Sequence, residues 1–162
     1  MCSQVVDDLC RNITRHLNCL QDDNRNTRKR ALEAIRKEVL PVNTFKDDQQ
    51  AVVHTVLRPL LHVFSDPVEK CRELAVILVA ELVQALPEPS ELLQHIVPTL
   101  VQRLAQPDIV EPSEELRLKL VVLSTALIDL TATKTSPYLD DFVRTALYVL
   151  SVRITSFISV YL

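Results

Sequence analysis

The sequence predicts an all-α fold in which helix pairs stack side by side into a solenoid. Three observations predict it. The 162 residues include no glycine, where average usage would supply roughly 11. Without glycine, the φ > 0 turns of β-hairpins and phosphate-cradling loops are hard to build. Apolar residues recur at three- and four-residue spacing over most of the chain, the signature of a helix with one buried face. An arginine also returns at a near-constant step, 44 residues from Arg28 to Arg72 and 45 from Arg72 to Arg117.

The first pair covers residues 4–40. Val6, Leu9, Ile13, Leu17 and Leu20 share one helical face, Asp22-Asp23-Asn24 makes a turn, and Ala31, Leu32, Ile35 and Val39 resume the helical pattern from Thr27. Pro41-Val42-Asn43 is a linker, and Thr44 with Asp47 resembles a helix cap. The second pair covers 44–86. Its first helix carries Val53, Val56, Leu57, Leu60 and Phe64, with Pro59 inside it. That proline removes one backbone hydrogen bond and predicts a kink. At Ser65-Asp66-Pro67 the chain turns. Asp66 is placed to cap the following helix, Pro67 suits a first helical position, and Glu69 falls where a capping box takes a carboxylate. Leu74 to Ala80 is apolar on every side, so this helix needs neighbours on both flanks.

The third pair covers 90–130. Pro87 to Ser90 stops one helix and caps the next, which carries Leu92, Leu93, Ile96, Leu100 and Leu104 around a second internal proline, Pro98. A longer loop runs from Gln106 to Pro112. Ser113 then reads as an N-cap, with Glu114 and Glu115 where the helix dipole favours acids. Leu116 to Leu130 is strongly apolar. Thr131 to Ser136 is a linker, and Pro137 opens a terminal helix belonging to a partial fourth repeat over 136–148. Residues 149–162 form an apolar tail.

Asp22 stands six residues before Arg28, and Asp66 six before Arg72. A mid-forties period of proline-containing helix, Asp/Pro turn and Arg-bearing helix is that of HEAT or armadillo-like repeats. Each pair leaves an apolar flank that only the next pair can cover. The array expected is therefore an α–α superhelix of about three pairs plus one helix, spanning 1–148. Pro59, Asp66, Arg72, Pro98 and Arg117 are its structural repeat positions.

Composition and motifs exclude several functions. A net charge of −3 and a pI near 5.8 argue against a nucleic-acid binder driven by bulk charge. Cys2, Cys10, Cys19 and Cys71 include no CxxC pair, and no signal-peptide pattern precedes them, so free thiols in a reducing cytosol are expected. No apolar run reaches the length of a membrane span. His16 and Cys19 stand one turn apart, but no second ligand pair follows, so no metal is expected. The basic run Arg25, Arg28, Lys29, Arg30, Arg36 and Lys37 is interleaved with Glu33 and Glu38 and lacks stacking aromatics; it reads as a solvated helix face. Neither a nucleophile–base pair nor a phosphate loop occurs, which leaves no enzyme and no cofactor to propose. Arg28, Arg72 and Arg117 read as bridges to turn carboxylates of neighbouring repeats rather than as ligand-binding groups. Glu111, Glu114 and Glu115 in the long loop, and Asp140 with Asp141, are the candidate partner surface. Helix capping and dipole compensation account for the same acids.

The stretches SDPVEKCREL at 65–74, QRLAQPDIVEPSEELRLKLV at 102–121 and PYLDDFVR at 137–144 resemble the N-terminal HEAT repeats of the dynein axonemal assembly factor 5 family. The resemblance is strongest from Leu57 to Arg144, and the long loop PDIVEPSEELR is its most specific part. It implies a cytoplasmic, non-enzymatic interaction scaffold for preassembly of axonemal dynein arms in motile cilia. It also implies contact with axonemal dynein chains, the intermediate chain first, and with their chaperones. No nucleic acid or membrane is expected as a partner. After Arg144 the family pattern is lost, and the tail reads as the divergent end of a short form. The competing expectations are a generic HEAT adaptor in transport or complex assembly, and a truncated isoform that is inactive or competes with a longer one.

Overall fold

The computed structural model describes the backbone of residues 2–40, 46–106, 108 and 110–161, and the side chains of 11–40, 52–106, 108 and 110–151. Among the described residues the regular structure is entirely helical: α1 (Cys2–Cys19), α2 (Arg25–Val39), α3 (Lys46–Val63), α4 (Glu69–Ala85), α5 (Leu93–Leu104), α6 (Glu114–Thr131) and α7 (Leu139–Tyr161). The chain divides into two compact units, Met1–Pro87 and Glu88–Leu162. The expected cap at Thr44 and Asp47 lies outside the described side chains.

In the first unit α1 packs on α2 and α3 on α4, and the pairs stack in parallel register, α1 against α3 and α2 against α4. This is the all-α repeat architecture expected of chains whose pairs expose an apolar flank. Ile13, Leu32, Ile35, Leu57, Leu60, Phe64, Leu78 and Leu82 are buried. Burial of side chains this size contributes about 1.5–3 kcal/mol each. The helix starts follow from local chemistry. Asn24 is the N-cap of α2, its side chain accepting from the Asn26 N–H at 2.8 Å. That helix therefore opens two residues ahead of Thr27. Asp66 does not cap α4 as the sequence suggested. Its Oδ1 accepts from the Val68 N–H at 2.7 Å, a tight Asx-type turn. The helix begins only at Glu69, leaving Pro67 in the turn.

The second unit opens with a 3₁₀ turn, Ser90–Leu92, that leads into α5. Helix α5 packs against both α6 and α7. Its Ile96, Val97 and Leu100 are buried, as are Leu116, Leu120, Leu123 and Leu127 of α6 and Phe142 of α7. Ser113 caps α6 as its sequence position predicts, accepting from the Leu116 N–H at 3.4 Å. Residues 132–138, expected to be a linker ending in a helix opened by Pro137, form a 3₁₀ segment, and α7 starts at Leu139. Helix α7 then runs on through residue 149 to Tyr161, so the backbone of the tail continues that helix. Helices α3 and α5 likewise continue through Pro59 and Pro98.

Candidate functional site: the arginine ladder and the α6 face

The arginines of the repeat make the same local bond three times. Nη1 of Arg28 donates to the carbonyls of Asp22 and Asp23, at 2.8 and 3.0 Å. Nη1 of Arg72 donates to those of Asp66 and Pro67, at 2.9 and 3.4 Å. For Arg117 the acceptors are the carbonyls of Glu111 and Pro112, at 2.8 and 3.2 Å. Each guanidinium thus closes the turn that precedes its own helix, taking carbonyls five and six residues back. Such a turn needs no glycine, because a side chain supplies the donors that loop backbone would otherwise seek.

Arg28 does more. Its Nε and Nη2 form a bidentate pair with Asp66 of the next helix pair, at 2.7 and 3.0 Å. Planar fork-to-fork contact of this kind is the strong form of the ion pair. The two side chains are only 10% and 6% exposed. The bond to Asp66 raises the guanidinium pKa further above its ordinary value. Cys71, buried beside this pair, has its thiol pKa pushed up, chiefly by burial. Its Sγ faces the Arg25 carbonyl at 4.0 Å. About two turns further along, Arg36 of α2 pairs with Glu81 of α4, its Nε at 2.7 Å from Oε2. The seam between α2 and α4 is therefore a charged stripe flanking buried Leu32 and Val39.

The acids proposed for a partner surface separate into two groups. Glu111 is 1% exposed, and its Oε2 lies 2.6 Å from Nη2 of Arg103, which is also buried. Its Oε1 accepts from the Ser113 N–H at 3.1 Å. It is a structural group inside the long loop and is withdrawn from the surface set. Its place was legible, because Glu111 precedes Arg117 by the same six residues that separate Asp66 from Arg72. The Arg103–Glu111 pair itself had no sequence signal, since loop conformation alone brings them together. Glu114 and Glu115 are exposed and engage Arg117 and Lys119 of their own helix. Asp140 is exposed, and Asp141 is half-buried and pairs with Arg144. These four remain at the surface.

Elsewhere the polar groups are scattered. His16 contacts Glu38, with Nε2 to Oε1 at 3.3 Å. Among the described residues no three His, Cys, Asp or Glu side chains are gathered to hold a metal ion. Among the same residues no helix is long and apolar enough to cross a membrane.

Among the described residues, the exposed large apolar side chains lie in the second unit. Leu118, Val122, Ile128 and Leu130 on α6, and Leu139, Val143, Leu147 and Leu150 on α7, stand exposed. On α7 they follow at steps of four, four and three, one continuous helical stripe. On α6, Ile128 aligns, through the Arg28–Arg117 alignment, with buried Val39 of α2, and Leu118 with exposed Lys29.

Comparison with known proteins agrees with this architecture. A family profile described as "Dynein axonemal assembly factor 5-like, TPR repeats" matches residues 19–152. Dynein axonemal assembly factor 5 of Xenopus laevis is 43% identical over 141 residues, covering 87% of this chain and 17% of the relative. The Mus musculus and Homo sapiens proteins of the same name are each 36% identical, over 145 and 144 residues, with 85% of this chain and 17% of the relative covered. The chain thus spans about a sixth of the length of these curated relatives. No solved structure matches. Although the family description speaks of TPR repeats, the steps of 44 and 45 residues between equivalent arginines exceed the 34-residue TPR period and fall in the HEAT/armadillo range. With the profile matching most of its length and the helix pairs stacking in register, the chain belongs to the dynein axonemal assembly factor 5-like family of helical-repeat proteins.

Proposed function

We propose that this chain is a non-enzymatic interaction scaffold that acts in the cytoplasm in preassembly of axonemal dynein arms for motile cilia. Similarity to the assembly factors over 85–87% of the chain carries the reading. Its partners are axonemal dynein chains, the intermediate chain first, together with the chaperones that fold them. Stacked helix pairs suit the task physically, because each pair holds the next rigidly and a stiff surface loses little entropy on binding. The exposed acids Glu114, Glu115 and Asp140, with half-buried Asp141, are proposed to contribute to the partner surface.

The test is a pull-down from the cytosol of ciliating cells with residues 1–162 as bait, read by mass spectrometry after helical circular dichroism has verified the bait. Enrichment of axonemal dynein chains is expected. A folded bait that enriches none of them would place the partner surface of the relatives outside these repeats and overturn the reading for this chain.

A further inference from the structure

Ser136-Pro137 is the one place in the 162 residues where proline follows a serine or threonine. Proline there has two physical effects. It has no backbone N–H to leave unpaired in an enzyme cleft, and it biases the residue before it toward extended backbone. Proline-directed protein kinases select serines in this setting, because their pocket for the following residue offers no acceptor to a backbone N–H. The fold presents the dipeptide openly. It lies in the 3₁₀ segment Ala132–Tyr138, which contributes no buried side chain, and Ser136 and Pro137 are both exposed. Neighbouring hydroxyls are engaged or covered. Ser113 caps α6, Thr135 donates to the Ala132 carbonyl at 2.6 Å, and Ser124, Thr131 and Thr145 are buried. The segment also opens at little cost. It leaves α6 at Ala132, whose φ of 44° is unfavourable for a residue with a Cβ. Opening 132–138 releases that cost and draws no apolar side chain out of the core.

We propose that Ser136 is a phosphorylation site for a proline-directed serine/threonine protein kinase. The Oγ of Ser136 attacks the γ-phosphorus of magnesium-bound ATP. A new Oγ–P bond replaces the bond from that phosphorus to the β,γ-bridging oxygen, the hydroxyl proton passes to a carboxylate base of the kinase, and ADP leaves. The product carries about two negative charges where serine has none. Lys134, two residues away, is the cation at hand for the phosphate. Its Nζ lies 3.1 Å from Oε2 of Glu88 and 3.5 Å from the Ser90 hydroxyl, so the phosphate competes with Glu88 for it. Asp140 and Asp141 follow in the first turn of α7, and phosphorylation therefore gives the acidic entry to this helix a switchable charge. The inference rests on this segment and not on the scaffold reading.

The test incubates the full chain with a purified proline-directed kinase and magnesium-bound ATP, and reads intact mass and fragment ions. A peptide of residues 129–142 serves as the unfolded reference. One phosphate on Ser136 is expected, transferred to the chain at no less than about a tenth of the peptide's rate. Ser136→Ala should abolish uptake, and Pro137→Ala should slow it at least about tenfold in chain and peptide alike. Both positions are exposed, so both variants should keep the helical spectrum of the parent. A chain labelled more slowly than that limit, phosphate on Thr133 or Thr135 instead, or a rate unchanged by Pro137→Ala overturns the proposal. The chain expressed in ciliating cells with phosphatases inhibited should carry the same phosphate, and its absence there overturns the assignment as well. Because neither readout uses dynein, failure here and failure of the pull-down remain distinguishable.

Discussion

Arg28 and Arg117 occupy one position of the repeat in two environments, and the contrast shows what the position does. Both close the turn before their helix through the same nitrogen. Only Arg28 has a carboxylate from the next helix pair across its other edge. In the second unit the acid at the matching turn position, Glu111, is engaged by Arg103 at 2.6 Å, within a loop that the first unit lacks. Turn closure is thus local and repeats with the sequence, while carboxylate pairing depends on what is stacked alongside. The difference extends to the apolar surface: among the described residues every exposed large apolar side chain lies at or beyond Leu118.

The largest expected effect tests that contrast directly. Arg28→Ala strips the cation from a buried carboxylate and two turn carbonyls, and should cost about 3 kcal/mol, as for breaking a buried ion pair. Arg117→Ala loses its turn bonds and an exposed contact with Glu114, while Glu111 keeps Arg103, and should cost about 1 kcal/mol. Urea unfolding of both variants checks the ratio. Equal losses would mean that turn closure, not the Asp66 pair, carries the stabilisation at Arg28.

Glu111→Gln comes next. It keeps the shape but leaves the Arg103 cation buried against a neutral acceptor, and Nε of Arg103 already lacks a hydrogen-bond partner. A loss of about 2 kcal/mol is expected. A melting temperature within a degree of the parent would show that the long loop relaxes and hydrates the guanidinium.

A smaller change, of opposite sign, is expected at Ala132. This residue ends α6 with φ 44° and ψ −118°, the one positive φ among the described residues. A Cβ is unfavourable there, so Ala132→Gly should stabilise the chain by about 1 kcal/mol, less the backbone entropy that glycine adds to the unfolded chain. Thermal melting decides it, and a destabilised variant would show that α6 ends in a conformation alanine tolerates.

These three sites also show how far the sequence was legible. Helix pairing followed from periodicity, because burial of one face is written every three or four residues. Absence of glycine correctly pointed to helices. It could not show that one left-handed turn would be made with alanine, since that depends on how the 3₁₀ segment 132–138 meets α6. The arginine step of 44 and 45 residues marked the ladder, and Asp66 marked its partner. Glu111 carries the signal of a third turn acid in its six-residue offset from Arg117, whereas the acidic composition of its loop points to a partner surface. Glu111 is paired there with Arg103, eight residues earlier at the end of α5. No local pattern carries such a contact. Helix starts were misplaced at Pro67 and Pro137 because proline is equally at home in a turn, in 3₁₀ geometry and in the first turn of an α-helix.

An exposed pair in the first unit gives a smaller loss. Arg36 is about half exposed and Glu81 less so, and the contact crosses from α2 to α4 at the rim of the seam. Arg36→Ala should cost under about 1 kcal/mol, falling further as salt is raised. A salt-insensitive loss of several kcal/mol would make this pair, rather than Arg28–Asp66, the principal lock between the helix pairs.

The smallest expected effect lies in the second unit, at the exposed Glu88. Its Oε1 accepts from the Ser90 N–H at 3.4 Å, and Oε2 lies 3.1 Å from Nζ of Lys134. Hydrogen bonding to Ser90, then to Lys134, lowers its pKa below the ordinary glutamate value. A carboxylate whose folded pKa is depressed binds fewer protons folded than unfolded. Its contribution is therefore complete above the unfolded value of about 4.3 and is lost as pH falls through the lower folded value. Carboxyl NMR of the folded chain should show Glu88 titrating below that reference, and Glu88→Gln should remove its part of the acid-side slope in stability. Lys134→Met should move the midpoint only part of the way back, because the Ser90 contact remains. A midpoint at the reference value in the parent would mean that neither contact persists in solution, leaving the 3₁₀ entry to α5 held by backbone bonds alone.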